Sequence, residues 1–150
     1  MRYYQQYLSF RRSAWVPLVA LLCGWIGVSG CTSMMRIQVK TSQATNGGEP
    51  FYVVVRSSGS DALASSDYKS IASNVFRSTA ESTVLSKEVL LPGQISHLEI
   101  RTPDEDNIAV YFLFTDPGPN WYYMFRNPLP SEAKISLGAH EIQKIAVQGR

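Results

Sequence analysis

The sequence predicts a mainly β domain, a two-sheet β-sandwich carrying one added amphipathic helix. Short runs rich in β-branched and aromatic residues recur along the chain, and Gly and Pro interrupt them about every ten residues. One stretch changes from a two-residue to a 3.6-residue apolar period.

Taken in order, Arg36–Thr41 is expected as the first strand, with Ile37 and Val39 on one face. Phe51–Arg56 is mostly β-branched and aromatic, which suits a strand buried on both faces. Thr83–Leu91 is the third strand, closed by the Pro92-Gly93 turn. Ile95–Arg101 alternates, opposing Leu98 and Ile100 to His97, Glu99 and Arg101. Asn107–Thr115 is apolar on both faces and reads as central. Asp116-Pro117-Gly118-Pro119 breaks the chain and Trp121–Arg126 resumes it. Alternation there sends Trp121, Tyr123 and Phe125 to one side and Tyr122 and Met124 to the other, most of them into the core. Ala133–Leu137 and Glu141–Val147 form a last pair around Gly138.

The helix is expected over Asp67–Ser78, inside a crossover that begins with the Ser/Gly/Ala-rich loop Ser57–Ser66. Tyr68, Ile71, Ala72, Val75 and Phe76 fall at i, i+3, i+4, i+7 and i+8, one apolar stripe. Ser66 is the expected N-cap, with Asp67 in the first turn complementing the helix dipole. The Ser, Asn and Thr around the stripe have low helix propensity, so packing on the sheet must hold it.

Residues 1–30 read as a lipoprotein signal peptide. Arg2, Arg11 and Arg12 form a basic start, and Ala14–Val28 is an apolar run of 15 residues. That is short of the roughly 20 a spanning helix needs and suits a signal-peptide core. It ends in Val28-Ser29-Gly30-Cys31, a lipobox whose small residues fit an extended backbone into the peptidase. The Cys31 thiol then takes a diacylglycerol. Cys31–Met35 is expected as a lipidated tether and residues 36–150 as the sandwich domain. A tether running from Thr32 to Met35 reaches at most ~15 Å at ~3.3–3.6 Å per residue. Thr32 follows the cysteine where an Asp would favour inner-membrane retention, so the outer membrane is expected.

Removing residues 1–30 takes three of the 14 Lys/Arg and none of the 12 Asp/Glu, changing the formal charge from +2 to −1. No basic field remains for nucleic acid. Cys23 leaves with the signal peptide and Cys31 carries lipid, so no disulfide is expected. Neither His97 nor His140 sits in a metal-ligand spacing. His97 is expected as a solvated strand residue and His140 as a turn residue. No His-Glu-x-x-His pair, phosphate loop or Gly-x-Ser-x-Gly elbow occurs. Asp104-Glu105-Asp106 lacks the spacing of a calcium loop and reads as an acidic hairpin tip. No enzyme, metal or cofactor is expected beyond the covalent lipid on Cys31.

One ordered set of features carries a resemblance. The lipobox precedes a weak strand and the loop Thr45-Asn46-Gly47-Gly48-Glu49-Pro50, which runs straight into Phe51-Tyr52-Val53-Val54-Val55-Arg56. Asp67-Tyr68, Leu91-Pro92-Gly93 and Ile108–Phe114 follow, with Asp116 and Trp121 close behind. From Arg36 to Val147 the series resembles the outer-membrane lipoprotein of the type VI secretion system, the TssJ (SciN-like) family. It departs after Arg56, where Ser57-Ser58-Gly59-Ser60 replaces the usual hydrophobic-aromatic continuation. The resemblance implies a transthyretin-like two-sheet sandwich with an added helical element; the isolated domain is expected to be monomeric. It also implies a partner: the periplasmic domain of a TssM-type inner-membrane core protein, tethered to the outer membrane. In that family the loop joining the first two strands, here about Ser42–Pro50, helps hold the partner, so Thr45, Asn46, Gly47, Gly48 and Glu49 become the candidate site. Gly47-Gly48 permits positive φ and Pro50 stiffens the return. No apolar residue is present to tuck this tip inside, so it should protrude. A strand leaving the bilayer at Arg36 would carry it to the far end of the domain. The second reading is a lipid-anchored ligand-binding or pilotin-type module of another envelope machine, which requires the aromatic residues near Trp121 to line a pocket.

The lipobox generates a first prediction. Globomycin should cause a larger prolipoprotein to accumulate, and Cys31→Ser should leave a protein without lipid. Labelled palmitate entering the variant as well as the wild type would refute the assignment.

Overall fold

A computed structural model describes residues 33–58, 67–75, 83–102 and 106–149. The expected signal peptide, Cys31, Ser66, Phe76 and the Asp104-Glu105 part of the expected acidic tip lie outside these residues, as does most of the loop expected over Ser57–Ser66.

Eight strands occur among the described residues: β1 (Ser33–Lys40), β2 (Phe51–Ser58), β3 (Val84–Leu90), β4 (Ile95–Thr102), β5 (Asn107–Leu113), β6 (Tyr122–Phe125), β7 (Glu132–Leu137) and β8 (Ile142–Gln148). One helix, α1 (Tyr68–Val75), lies between β2 and β3. The strands form two four-stranded sheets, in the orders β4-β1-β7-β8 and β3-β2-β5-β6. The second sheet is antiparallel throughout; in the first, β1 runs parallel to β7. These directions gather the β1–β2, β3–β4, β5–β6 and β7–β8 connections at one end. Ser33 enters at the other end.

Alternation builds the core between the sheets. Met35, Ile37 and Val39 of β1, Leu98 and Ile100 of β4 and Ile135 of β7 are at most 1% exposed, against Val53, Val55, Val110 and Phe112 from the facing sheet. Phe51 and Phe114 stack at 5.1 Å near the loop-rich end. The outer side of the second sheet carries another apolar layer, in which Val54, Ala109, Tyr111 and Leu113 pack with Ile71 of α1. β5 is therefore apolar on both faces because both faces are covered, as expected for a central strand.

Element ends shift by one to three residues from the sequence expectation, and four of the differences have a clear physical reason. β1 starts at Ser33 instead of Arg36, since Ser33 to Met35 continue the ladder opposite Ile100 to Thr102. Met35, assigned to the tether, is core. β2 runs on to Ser58 because Ser57 and Ser58 pair with Ile108 and Asn107. The Asp67 carbonyl accepts the Ile71 N–H at 3.2 Å, so Asp67 stands at the N-cap rather than in the first turn. Trp121 stands at a bend just before β6, its carbonyl accepting the Phe112 N–H at 2.9 Å. Its ring meets Tyr68, Tyr111 and Tyr122 at 4.9, 5.5 and 5.0 Å, and the side chain packs against both apolar layers.

Among the described residues no helix is long and apolar enough to cross a membrane. Among the described residues the buried Tyr111 hydroxyl has no hydrogen-bond partner. Its pKa is pushed up to about 12, mainly by burial, with Arg56 lowering it and Tyr122 raising it.

Two predictions follow from the helix layer. Ile71→Asp should destabilise the domain by about 3 kcal/mol or more, by burying an unpaired charge. Ser73→Asp on the exposed face should cost no more than about 0.5 kcal/mol, and equal losses in urea melts would refute the packing. The folded pKa of Tyr111 lies above its ordinary value of 10.0, so its contribution is intact below pH 10 and is lost as pH rises from there towards 12. Tyr111→Phe should flatten that alkaline slope while costing little at neutral pH, because the lost hydroxyl bonds to nothing.

Candidate functional site

The candidate site is the loop-rich end, centred on the connection between β1 and β2. It begins with Thr41, which is buried. The Thr41 N–H donates to the Gln94 carbonyl at 3.0 Å, and its hydroxyl lies 3.0 and 2.9 Å from the Leu91 and Gln94 carbonyls. The Gly93 N–H donates to the Ser42 carbonyl at 3.0 Å, tying the β3–β4 turn to this loop. Thr45 closes the first turn by accepting the Ser42 N–H on its hydroxyl at 2.9 Å.

A short 3-10 turn, Thr45–Gly48, follows and reverses the chain through left-handed backbone at Asn46 (φ 52), Gly47 (φ 66) and Gly48 (φ 86). Gly supplies such angles without steric cost and Asn tolerates them better than most residues. Asn46 then bonds in every direction. Its N–H donates to the Ala139 carbonyl at 2.7 Å, and its Oδ1 accepts the Thr115 N–H at 2.7 Å. Its Nδ2 donates to the Glu49 and Pro50 carbonyls at 3.0 and 3.4 Å. The expectation of a protruding loop is therefore corrected. Thr45 is 0% and Asn46 5% exposed, buried because their polar atoms, not apolar ones, are satisfied inside. Gly47, Gly48 and Glu49 are exposed, as are Gln43 and Ala44.

Neighbouring loops complete the surface. The Gly118 N–H donates to the His140 carbonyl at 2.8 Å, the Ile142 N–H to the Asn120 carbonyl at 2.8 Å, and the Asn120 amide to the Glu141 carboxylate at 3.1 Å. Glu49, Asp116 and Glu141 bring negative charge, while residues 41–50, 91–94, 114–121 and 138–141 include no Lys or Arg. The end is acidic, and Leu91, 44% exposed, adds an apolar spot. Its means are shape, backbone groups and charge.

The other sequence candidates lie apart. His97 is exposed on the outer side of the first sheet and His140 is exposed in the β7–β8 turn. Trp121 packs among tyrosines. Tyr122 and Tyr123 edge a shallow groove with Ile142, Lys144 and Ile145; at about 250 Å³ it falls below the roughly 300–1,000 Å³ of typical ligand pockets. The sequence reading missed the bonding role of Asn46, although the Asn-Gly-Gly run signals a left-handed turn.

Asn46→Ala should cost about 2–3 kcal/mol in urea melts, since it strands the Thr115 N–H and puts a Cβ residue in left-handed backbone. Asn46→Gly should cost about 1 kcal/mol less, because glycine removes the backbone strain alone. Equal losses would mean that backbone strain contributes nothing.

Comparison with known proteins places this geometry. By sequence, no curated protein matches the chain. Among solved structures, the lipoprotein TssJ1 of the type VI secretion system from Pseudomonas aeruginosa is similar at 19% identity and a TM-score of 0.59, over 79% of this chain and 98% of that one. Serratia marcescens Lip, a membrane-bound component of the type VI secretion system, is similar at 20% identity and 0.59, over 74% and 96%. A chain in a structure of the TssM C-terminal domain from EAEC is similar at 12% identity and 0.60, over 76% and 98%. At such identities the likeness establishes the fold, a TssJ-type sandwich. Residues 52–137 match the family described as IglE, N-terminal domain, which is more than half of the chain. The chain therefore belongs to the IglE N-terminal domain family, a type VI secretion lipoprotein family of structural components rather than enzymes.

Proposed function

We propose that this chain tethers the periplasmic part of a TssM-type inner-membrane core protein to the outer membrane, within the membrane complex of a type VI secretion system. The observation that carries the reading is the loop-rich end, braced by hydrogen bonds and acidic, at the opposite end of β1 from Ser33. Family membership supplies the secretion system, and the likeness to a chain in a structure of the TssM C-terminal domain supports the partner.

In this reading Cys31 carries the lipid and Thr32 directs the protein to the outer membrane. Acyl chains each add about 0.8 kcal/mol per buried CH₂, so a doubly or triply acylated cysteine stays anchored. Gly47, Gly48 and Glu49 meet the partner; Thr45 and Asn46 hold them in place. The acidic end calls for a basic surface on the partner.

The test leaves the bracing residues alone. Replacing Thr45–Glu49 with a Ser/Gly linker would remove Asn46 and so confound binding with folding. Glu49→Arg combined with Asp116→Arg alters exposed positions only. It should weaken binding of the partner's periplasmic domain by about tenfold or more, roughly 1.4 kcal/mol, and reduce secretion, with the thermal midpoint and lipidation unchanged. Wild-type binding and secretion by this variant would place the interface elsewhere.

A further inference from the structure

We propose that the outer face of the β4-β1-β7-β8 sheet is a second membrane contact, lying against an anionic phospholipid surface. The inference rests on the lipid-anchor reading and extends it from a single attachment point to an oriented face.

Charge is split sharply across this domain. Strand register puts Arg36, Lys40, Arg101, Lys134 and Lys144 on that face, against Glu99 and Glu132. Apart from these residues, the chain from Cys31 onward has six Lys/Arg and ten Asp/Glu. A domain of formal charge −1 thus divides into a face of +3 and a remainder of −4. Both glutamates are already engaged, Glu99 with Arg36 at 3.6 Å and Glu132 with Lys134 at 3.4 Å. The five basic side chains are all exposed. Two large apolar side chains also stand out from this face, Met34 at 47% and Ile95 at 55% exposure. Basic residues mixed with exposed apolar ones are the composition of surfaces that sit in lipid headgroups. The outer side of the other sheet is instead covered by α1 and its apolar layer.

Geometry selects a bilayer as the occupant. β1 lies inside this sheet, between β4 and β7, and Ser33 already pairs with Thr102. Thr32 alone separates the strand from Cys31, so the slack is about 7 Å. The lipid thus leaves from the sheet that carries the charge. That charge acts over a Debye length of about 8 Å at physiological salt, so a face held this near the headgroups feels them. The acidic loop end is repelled by the same surface, which leaves it open to the partner.

The full lipidated protein is placed in vesicles of phosphatidylglycerol with phosphatidylcholine, or of phosphatidylcholine alone. It is then treated with an amine-acetylating reagent, and each lysine is followed by mass spectrometry. Lys40, Lys134 and Lys144 should react about fivefold or more slowly on the anionic vesicles, and about 0.5 M salt should abolish the difference. Lys69 on α1 should react equally on both. In Lys134→Glu with Lys144→Glu, Lys40 should lose its protection while the thermal midpoint holds. Equal rates on both vesicles overturn the proposal, as does protection that arises only after the partner's periplasmic domain is added. Intact mass reports the lipid on Cys31 beforehand. A missing lipid refutes the anchor reading, whereas lipid present with unprotected lysines refutes the face alone.

Discussion

Asn46 bonds to the ends of both sheets, and the arrangement of the loop-rich end depends on it. Ala139 follows β7 in one sheet and Thr115 follows β5 in the other; Asn46 bonds to both at 2.7 Å. It is the clasp across one end of the sandwich. Its left-handed backbone costs about 1–2 kcal/mol for an ordinary residue, less for Asn. Hydrogen bonds at about 1 kcal/mol each offset that cost. The geometry also fixes the amide orientation, since the Thr115 N–H needs an acceptor and the Glu49 carbonyl needs a donor. With both ends held, Gly47, Gly48 and Glu49 are presented in one arrangement instead of an ensemble, which lowers the entropy lost when a partner binds.

The same end shows why the fold uses both faces of β5. Val110 and Phe112 point between the sheets, while Tyr111 and Leu113 face α1. The short helix is positioned by Ile71 and by the Tyr68 hydroxyl, which donates to the Phe114 carbonyl. Tyr68 also meets Trp121 edge-on, a favoured aromatic geometry. The β2-to-β3 crossover is thereby attached at the point where β5 becomes the β5–β6 loop. Disturbing α1 would loosen the loop end as well as the core.

Most of the fold was legible because strand signals here are local. Phe51–Arg56 and Asn107–Thr115 declare themselves by β-branched and aromatic content, and the helix by a stripe that no strand could use. What failed was set by contacts distant in sequence. Ser33 to Met35 carry little strand propensity of their own and become strand because Thr102 and Ile100 lie opposite. Trp121 touches both apolar layers instead of the one that alternation assigns it, because it stands at a bend where β6 is about to begin. In the candidate site, Gly47-Gly48 announced a reversal. The burial of Thr45 and Asn46 did not show, since polar residues buried by hydrogen bonding look like any exposed loop until their partners are known. Val28-Ser29-Gly30-Cys31 lies outside the described residues, so the lipobox rests on the sequence alone.

β1 joins the two functional ends directly. It starts two residues after Cys31, ends at Lys40 beside the loop, and is paired on one side with β4 and on the other with β7. In the proposed role, a partner pulling on the loop against a lipid anchor first lifts the sheet face from the headgroups and then loads this strand along its own axis. Ladder hydrogen bonds lie roughly across that axis. A lengthwise pull therefore shears many of them at once, instead of opening them one after another as a pull at a sheet edge would. An edge strand would have half as many bonds to share the load. The parallel β1–β7 pairing lets the first strand be interior, since β7 arrives later in the chain and closes the side that β4 leaves open. A long flexible leash would give up this coupling, because its slack would be taken up before any load reached the sheet. In that proposed role, the early start of β1 is the feature that would make anchor, sandwich and loop end one mechanical element.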